Sequence, residues 1–220
     1  MKRNGKKYLV IGITLLALFF IWTVLIQRVD VKPLGQNGTN IGFSTLNIWF
    51  HKLIGVHLTL YTITDWLGLV PIFICMVFAG TGFVQLVKRR SLLKVDADIL
   101  LLGIYYGIVI GAYLLFEMIP VNYRPVLIEG RPEPSYPSST TLLVLCVIPT
   151  LVLQAKHRVK KPAIRNLLVI LATCFSVFMV LGRVVSGVHW LTDIIGAVLL
   201  SAGLCNLYQG AVLLCSKEEW

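Results

Sequence analysis

The stretch KHRVKKPAIR, residues 156–165, decides the fold, because it crowds five lysines and arginines between two apolar runs, 138–155 and 166–181. Working outward, the pattern repeats. Lys88-Arg89-Arg90 and Lys94 separate runs 66–87 and 99–119, while Lys2, Arg3, Lys6 and Lys7 precede run 8–26. A sixth run covers 190–215. Each run is near the ~20 apolar residues a helix needs to cross a bilayer, and in hydrocarbon such a helix satisfies its own backbone. The expectation is an all-α bundle of six transmembrane helices in a single membrane domain, residues 1–220, at the cell membrane. Cations gather after every second run, so the positive-inside rule puts those segments and both termini in the cytoplasm. Loops 27–65, 120–137 and 182–189 then face outward.

Composition agrees. Of 220 residues, 57% are hydrophobic and 14% charged, where a soluble domain carries about 25% charged, and mean hydropathy is +0.82. A net charge of +10 could serve nucleic acid, but cations gathered in alternate segments argue against that partner. Cys75, Cys146, Cys174, Cys205 and Cys215 lie in apolar runs without a CxxC pair. They read as small hydrophobes, so neither a disulfide nor a metal is expected. The first run is long for a signal peptide, and Gln27-Arg28-Val29-Asp30 offers no small-residue cleavage site, so a retained helix is expected.

Gly103, Gly107 and Gly111 recur every four residues in the third run, a stripe that lets a neighbouring helix pack closely. Pro71 and Pro149 read as tolerated kinks within spans. In the long loop, Phe43, Leu46, Trp49, Phe50, Leu53 and Ile54 recur at helical spacing, which predicts a helix along the membrane surface.

The chemistry gathers in the later outer loops. PVNYRPVLIEGRPEPSYPSSTT, residues 120–141, brings Arg124, Arg131, Ser138, Ser139, Thr140 and Thr141 to that face, and loop 182–189 brings Arg183 and His189. Arginine forks match phosphate oxygens. Hydroxyls and free N–H groups at a helix start favour the same anion, as does the positive end of the fourth helix's dipole. His189 and Asp193 are four apart at the start of the last helix, on one face. A carboxylate accepting from one ring nitrogen fixes the tautomer and frees the other to attack. That suggests phosphoryl transfer through a phosphohistidine. The plainer reading is a His–Asp pair capping a helix; arginines in both neighbouring loops favour the site.

These residues resemble the type 2 phosphatidic acid phosphatase family, the lipid phosphate phosphatases. That family's pattern has three parts: Lys, six residues, Arg-Pro; Pro-Ser-Gly-His; and Ser-Arg, five residues, His, three residues, Asp. Gly182-Arg183, His189 and Asp193 match the third part, Arg124-Pro125 the first and Pro137-Ser138 the second, from roughly the third run onward. The resemblance implies a metal-independent reaction without a cofactor. It makes His189 the nucleophile, Asp193 its orienting partner, and Arg124 and Arg183 the phosphate clamps. Ser138, with Ser139 and Thr140, would hold phosphate at the helix start. The implied substrate is a lipid phosphate met among membrane lipids.

Three positions depart from the pattern. Glu117 stands where the family has its lysine, Ser139-Thr140 where it has Gly-His, and Gly182 where it has serine. A second register, with Arg124 for the lysine and Arg131-Pro132 as the pair, leaves few residues before Pro137, so the first is preferred. The missing histidine is the family's acid for the leaving group, and positioned acid–base catalysis contributes about 10²- to 10⁴-fold. A phosphate leaving group, with its last pKa about 6, needs that help less than an alkoxide. The expected substrate is therefore a lipid diphosphate, a polyprenyl diphosphate foremost. A substitute acid could come from Glu117, Glu129, Glu133, His51 or His57. The plainer reading pairs Glu117 with Arg124 or Arg183 and makes the histidines interfacial. Two other functions stand beside the phosphatase. One is a family member without catalysis that binds a phospholipid or polyprenyl phosphate headgroup. The other is a transporter, which would place ionisable groups near the bilayer midplane instead of at the outer rim.

Overall fold

The computed structural model describes residues 2–128 and 130–215, so Glu129, one of the candidate acids, lies outside the described residues. Its helices are α1 Lys2–Ile26, α2 Ser44–Ile54, α3 Leu58–Leu67, α4 Leu69–Arg89, α5 Ala97–Met118, α6 Ser139–Arg158, α7 Pro162–Val185 and α8 Leu191–Cys215. Among the described residues, six helical units are long and apolar enough to cross a membrane: α1, α3 joined to α4, α5, α6, α7 and α8. Phe20, Trp66, Phe73, Phe83 and Leu115 stand exposed around them, which suits lipid as solvent. The chain is an all-α, multi-pass membrane protein.

The second span differs from run 66–87. Its helix starts at Leu58, inside the expected loop 27–65, and breaks at Gly68. Thr59, Tyr61, Thr62, Thr64 and Asp65 dilute the apolar signal there, although a helix hides its backbone whatever its side chains. The Gly68 N–H donates to Thr64 O at 3.1 Å and Asp65 O at 3.0 Å. A Cβ on Gly68 would stand 2.8 Å from Asp65 O and 3.4 Å from Thr140 Cγ2, so glycine lets this corner press on α6. Pro71 falls in the first turn of α4, three residues after the break at Gly68, where its missing N–H is no loss.

Glycines spaced by seven clamp α1 antiparallel to α8. A Cβ on Gly12 would lie 3.0 Å from Gly203 O, and one on Gly5 would lie 3.3 Å from Gly210 O; such close approach holds helices together in lipid. The stripe Gly103, Gly107 and Gly111 does not pack this way. Nothing lies within 4 Å of an added Cβ at any of the three; Gly103 and Gly107 line an apolar groove shared with Cys75, Ala79 and Gly82 of α4. Spacing alone does not say which face of α5 meets a partner.

The two ends of the bundle differ. At the basic end, Arg158 of α6 pairs with Asp96 at 3.4 Å and with Asp98, while Arg89 of α4 reaches Asp96 at 2.7 Å. Gln154 joins Arg158 at 2.7 Å to Tyr208 of α8 at 3.1 Å. At the opposite end, Trp22 Nε1 donates to Thr192 O at 3.1 Å, and Asn47 of α2 donates to Thr192 Oγ1 at 3.0 Å. Helix α2 forms as predicted and keeps Trp49 and Leu53 exposed.

Candidate active site

Loop 120–137 returns on itself as a hairpin. Arg124 N–H donates to Glu133 O at 3.0 Å, and Ser135 N–H donates to Asn122 O at 2.9 Å. Tyr136 anchors the returning arm, stacked on Phe19 at 6.0 Å and sharing a 2.7 Å hydrogen bond with Thr23. Gly196 makes room for its ring, because a Cβ there would come within 2.4 Å of it. The turn before His189 depends on Gly187. Its φ of +69° is the left-handed region that favours glycine, and a Cβ would overlap Gly55 O at 1.9 Å. His51 Nε2 donates to Gly187 O at 3.1 Å, and the His57 backbone N–H donates to Ser186 O at 3.0 Å. Both candidate histidines thus brace this turn.

His189 is 5% exposed. Its Nδ1 lies 3.2 Å from the Ser135 carbonyl and 3.1 Å from the Ser135 hydroxyl. A carbonyl can only accept, so Nδ1 carries the proton and Nε2 keeps a lone pair. The Ser135 hydroxyl donates in turn to Asp193 Oδ2. The same carboxylate takes Trp190 N–H at 3.0 Å and Asn122 Nδ2 at 3.3 Å. Asp193 therefore reaches His189 through Ser135, where the four-residue spacing predicts direct contact. His189 precedes the first residue of α8, and the same-face rule holds only inside a helix. Burial holds the His189 pKa well below the ordinary 6.5, and Arg124 and Arg183 push the same way. The ring is neutral at neutral pH.

Arg183, 1% exposed, sits inside the bundle. Its Nη2 donates to Thr140 Oγ1 and, at 3.2 Å, to Asp65 Oδ1. Its guanidinium lies 4.9 Å from the Tyr61 ring, and that of Arg124 lies 5.7 Å from the same ring. Arg124 Nε stands 3.2 Å from Glu133 Oε2, an ion pair outside hydrogen-bond geometry. The partners of the two arginines are thus Glu133 and Asp65, where the sequence suggested Glu117. Glu117 is exposed and shares a small crevice with Tyr113 and Ser139. Arg131 is exposed in a turn with Ile128, and Arg124 is the arginine that joins the cluster. Ser138 is fully buried, its hydroxyl donating to Thr141 Oγ1 at 3.0 Å and its N–H to Asp193 O at 3.2 Å. Ser139 and Thr140 open α6, where the first N–H groups have no intrahelical acceptor.

Arg124 Nε and Nη1, Arg183 Nε and His189 Nε2 are all buried without a hydrogen-bond partner. An unpaired buried polar atom costs about 1–3 kcal/mol, so a cluster of them marks a place built for a ligand. Three are cationic donors and the fourth is a lone pair, which suits a tetrahedral oxyanion whose central atom faces Nε2. Among the described residues no group of three His, Cys, Asp or Glu side chains could hold a metal. The sequence reading misses Tyr61, Asp65, Asn122 and Ser135. Tyr61 and Asp65 sit in the stretch taken for loop, and Ser135 sits two residues before Pro137 with nothing in its spacing to flag it.

Comparison with known proteins follows the same lines. The profile of the PAP2 superfamily matches residues 116–213, which takes in the hairpin, both arginines and most of α8. No curated protein matches the sequence. Among solved structures, the chain is similar to the first transmembrane PAP2-type phosphatidylglycerolphosphate phosphatase from Bacillus subtilis. The TM-score is 0.67 at 18% identity, over 94% of this chain and 98% of that one. At that identity the likeness speaks for the fold. The segment that carries the motifs is thus similar to the PAP2 superfamily, and the whole chain shares the fold of a membrane protein of that type.

Proposed function

We propose that the protein is a membrane lipid phosphatase that moves a phosphoryl group from a lipid phosphate or diphosphate to His189 and then to water. The observation that carries this is the unpartnered Nε2 of a buried, neutral imidazole beside two guanidinium groups with free donors. In the first step the Nε2 lone pair bonds to phosphorus while the P–O bond breaks, its electron pair leaving on that oxygen. Arg124, Arg183 and the start of α6 hold the other oxygens. The positive charge that develops on the ring is met through Ser135 by Asp193. Water then attacks phosphorus, the P–N pair returns to Nε2, and inorganic phosphate departs.

Thr140, standing where the family has its acid histidine, is bonded to Arg183. A leaving group stable as an anion therefore suits the site, which favours a polyprenyl diphosphate over phosphatidic acid. The similar structure bears the name of a phosphatidylglycerolphosphate phosphatase, which adds weight to a phosphorylated lipid. By the positive-inside rule the site faces outward and both termini face the cytoplasm. The test is phosphate release by purified protein and its His189→Ala variant from a panel of lipid mono- and diphosphates. Release should be fastest from the diphosphate and fall by about 10³-fold or more in the variant. Release that survives the substitution removes the nucleophile, and preference for the monophosphate removes the diphosphate.

A further inference from the structure

We propose that Asp65 is a catalytic residue of this site, the base that takes a proton from the water attacking the phosphohistidine. The inference rests on the phosphatase reading above. It begins from a need of the second step. Water becomes a phosphate oxygen only if it loses a proton, and His189 cannot take it, because Nε2 is then the leaving atom. Asp193 cannot take it either. It is wholly buried on the Nδ1 side of the ring, with both carboxylate oxygens engaged by Ser135, Trp190 and Asn122.

Asp65 meets the need on four counts. Its Oδ1 rests on Arg183 Nη2 at 3.2 Å, while Nε of the same guanidinium is the buried donor left without a partner. A phosphoryl oxygen on Nε and the carboxylate on Nη2 would occupy neighbouring corners of one planar fork. The side chain of Asp65 is 55% exposed where that of Arg183 is 1% exposed, so water reaches the carboxylate and not the arginine behind it. Oδ2 takes no hydrogen bond from any described residue. Placement is firm as well, because Asp65 stands in the last turn of α3, whose end is tied by the two hydrogen bonds from Gly68. Glu133, the carboxylate on Arg124, touches its arginine outside hydrogen-bond geometry and sits on the hairpin instead of a helix. In the step itself the water O–H bond breaks toward Oδ2. The new O–P bond forms, the P–N bond breaks toward Nε2, and the carboxyl proton passes to solvent.

The experiment follows the phosphoenzyme. Purified protein in detergent is mixed with polyprenyl diphosphate labelled in its terminal phosphate and quenched in alkali, which preserves phosphohistidine. Asp65→Asn should keep a first-turnover burst, accumulate label on the protein and lose about 10²-fold or more in steady turnover. Formate and other small carboxylates should restore part of the turnover of Asp65→Ala, the more so the more basic the carboxylate, a dependence that a role limited to holding Arg183 does not require. Unchanged turnover in Asp65→Asn, or a fall without label and without formate rescue, overturns Asp65 as the base and leaves the phosphatase standing. Turnover by the parent with no label under any quench time overturns the phosphohistidine, and Asp65 with it.

Discussion

In the mechanism proposed above, His189 attacks only while Nε2 is unprotonated, and its surroundings keep it so. Burial disfavours the imidazolium first, then Arg124 and Arg183, and only the Ser135 carbonyl opposes them. The folded pKa lies below 6.5, so on acidification the unfolded chain takes up this proton before the folded one does. Folding stability from this group is thus present above about pH 6.5 and is lost as the pH falls toward the folded value. For catalysis, the acid limb of kcat/KM, which reports the free enzyme, should lie below pH 6.5. Arg124→Gln should move that limb upward when compared with the parent on one substrate, so that the substrate's own ionisation cancels. A limb that stays in place would detach Arg124 from the imidazole. Arg183, His189 and Asp193 stand out in the sequence because all three fall in one short stretch, the end of α7 and the start of α8, where their types and spacing can be read together. The same pattern hides Ser135 and Asp65. Each acts across a fold contact, from the hairpin and from a helix 118 residues before Arg183, and no local spacing records such a meeting.

At the scale of helices, the apolar runs locate all the spanning units, since hydrocarbon enforces both length and helicity. They do not locate helix faces. Gly103, Gly107 and Gly111 look like a packing stripe, yet nothing stands against them and the first two open onto a groove, whereas Gly5, Gly12, Gly203 and Gly210 carry the tight α1–α8 contact. Two stripes of similar composition differ only in what stands opposite, and that is a property of the assembled bundle. A paired substitution separates them. In Gly203→Leu the new side chain meets Leu16 Cγ at 2.9 Å and its backbone nitrogen at 3.2 Å from the first carbon onward. Thermal unfolding in detergent should show a loss of about 1–3 kcal/mol. Gly107→Leu, with nothing within 4 Å, should stay within about 0.5 kcal/mol of the parent. Equal losses at the two sites would mean that the α4–α5 groove closes in the membrane.

The whole molecule is polar end to end. One end carries His189, the hairpin and the carboxylates Asp65 and Glu133, which offset the arginines they touch. The other gathers Lys88, Arg89, Arg90 and Lys94 near Lys156, Lys160, Lys161 and Arg165, with Asp96 and Asp98 already engaged by Arg89 and Arg158. Unpaired cations near the ends of spans are what fixes orientation, while carboxylates contribute little, so the excess at this end should hold it in the cytoplasm. Arg131→Cys, exposed on the hairpin turn, should then react with a membrane-impermeant thiol reagent on intact cells. Lys160→Cys, in the segment between α6 and α7, should react only after permeabilisation. Cys75, Cys146, Cys174 and Cys205 lie inside spanning helices, while Cys215 is exposed at the end of α8, so both variants are made in a Cys215→Ser parent. Labelling of Lys160→Cys on intact cells, with Arg131→Cys silent, would turn the site toward the cytoplasm. The substrate would then have to be a phosphorylated lipid of the inner leaflet, because both arginines and His189 lie at one end of the bundle and cannot serve the other.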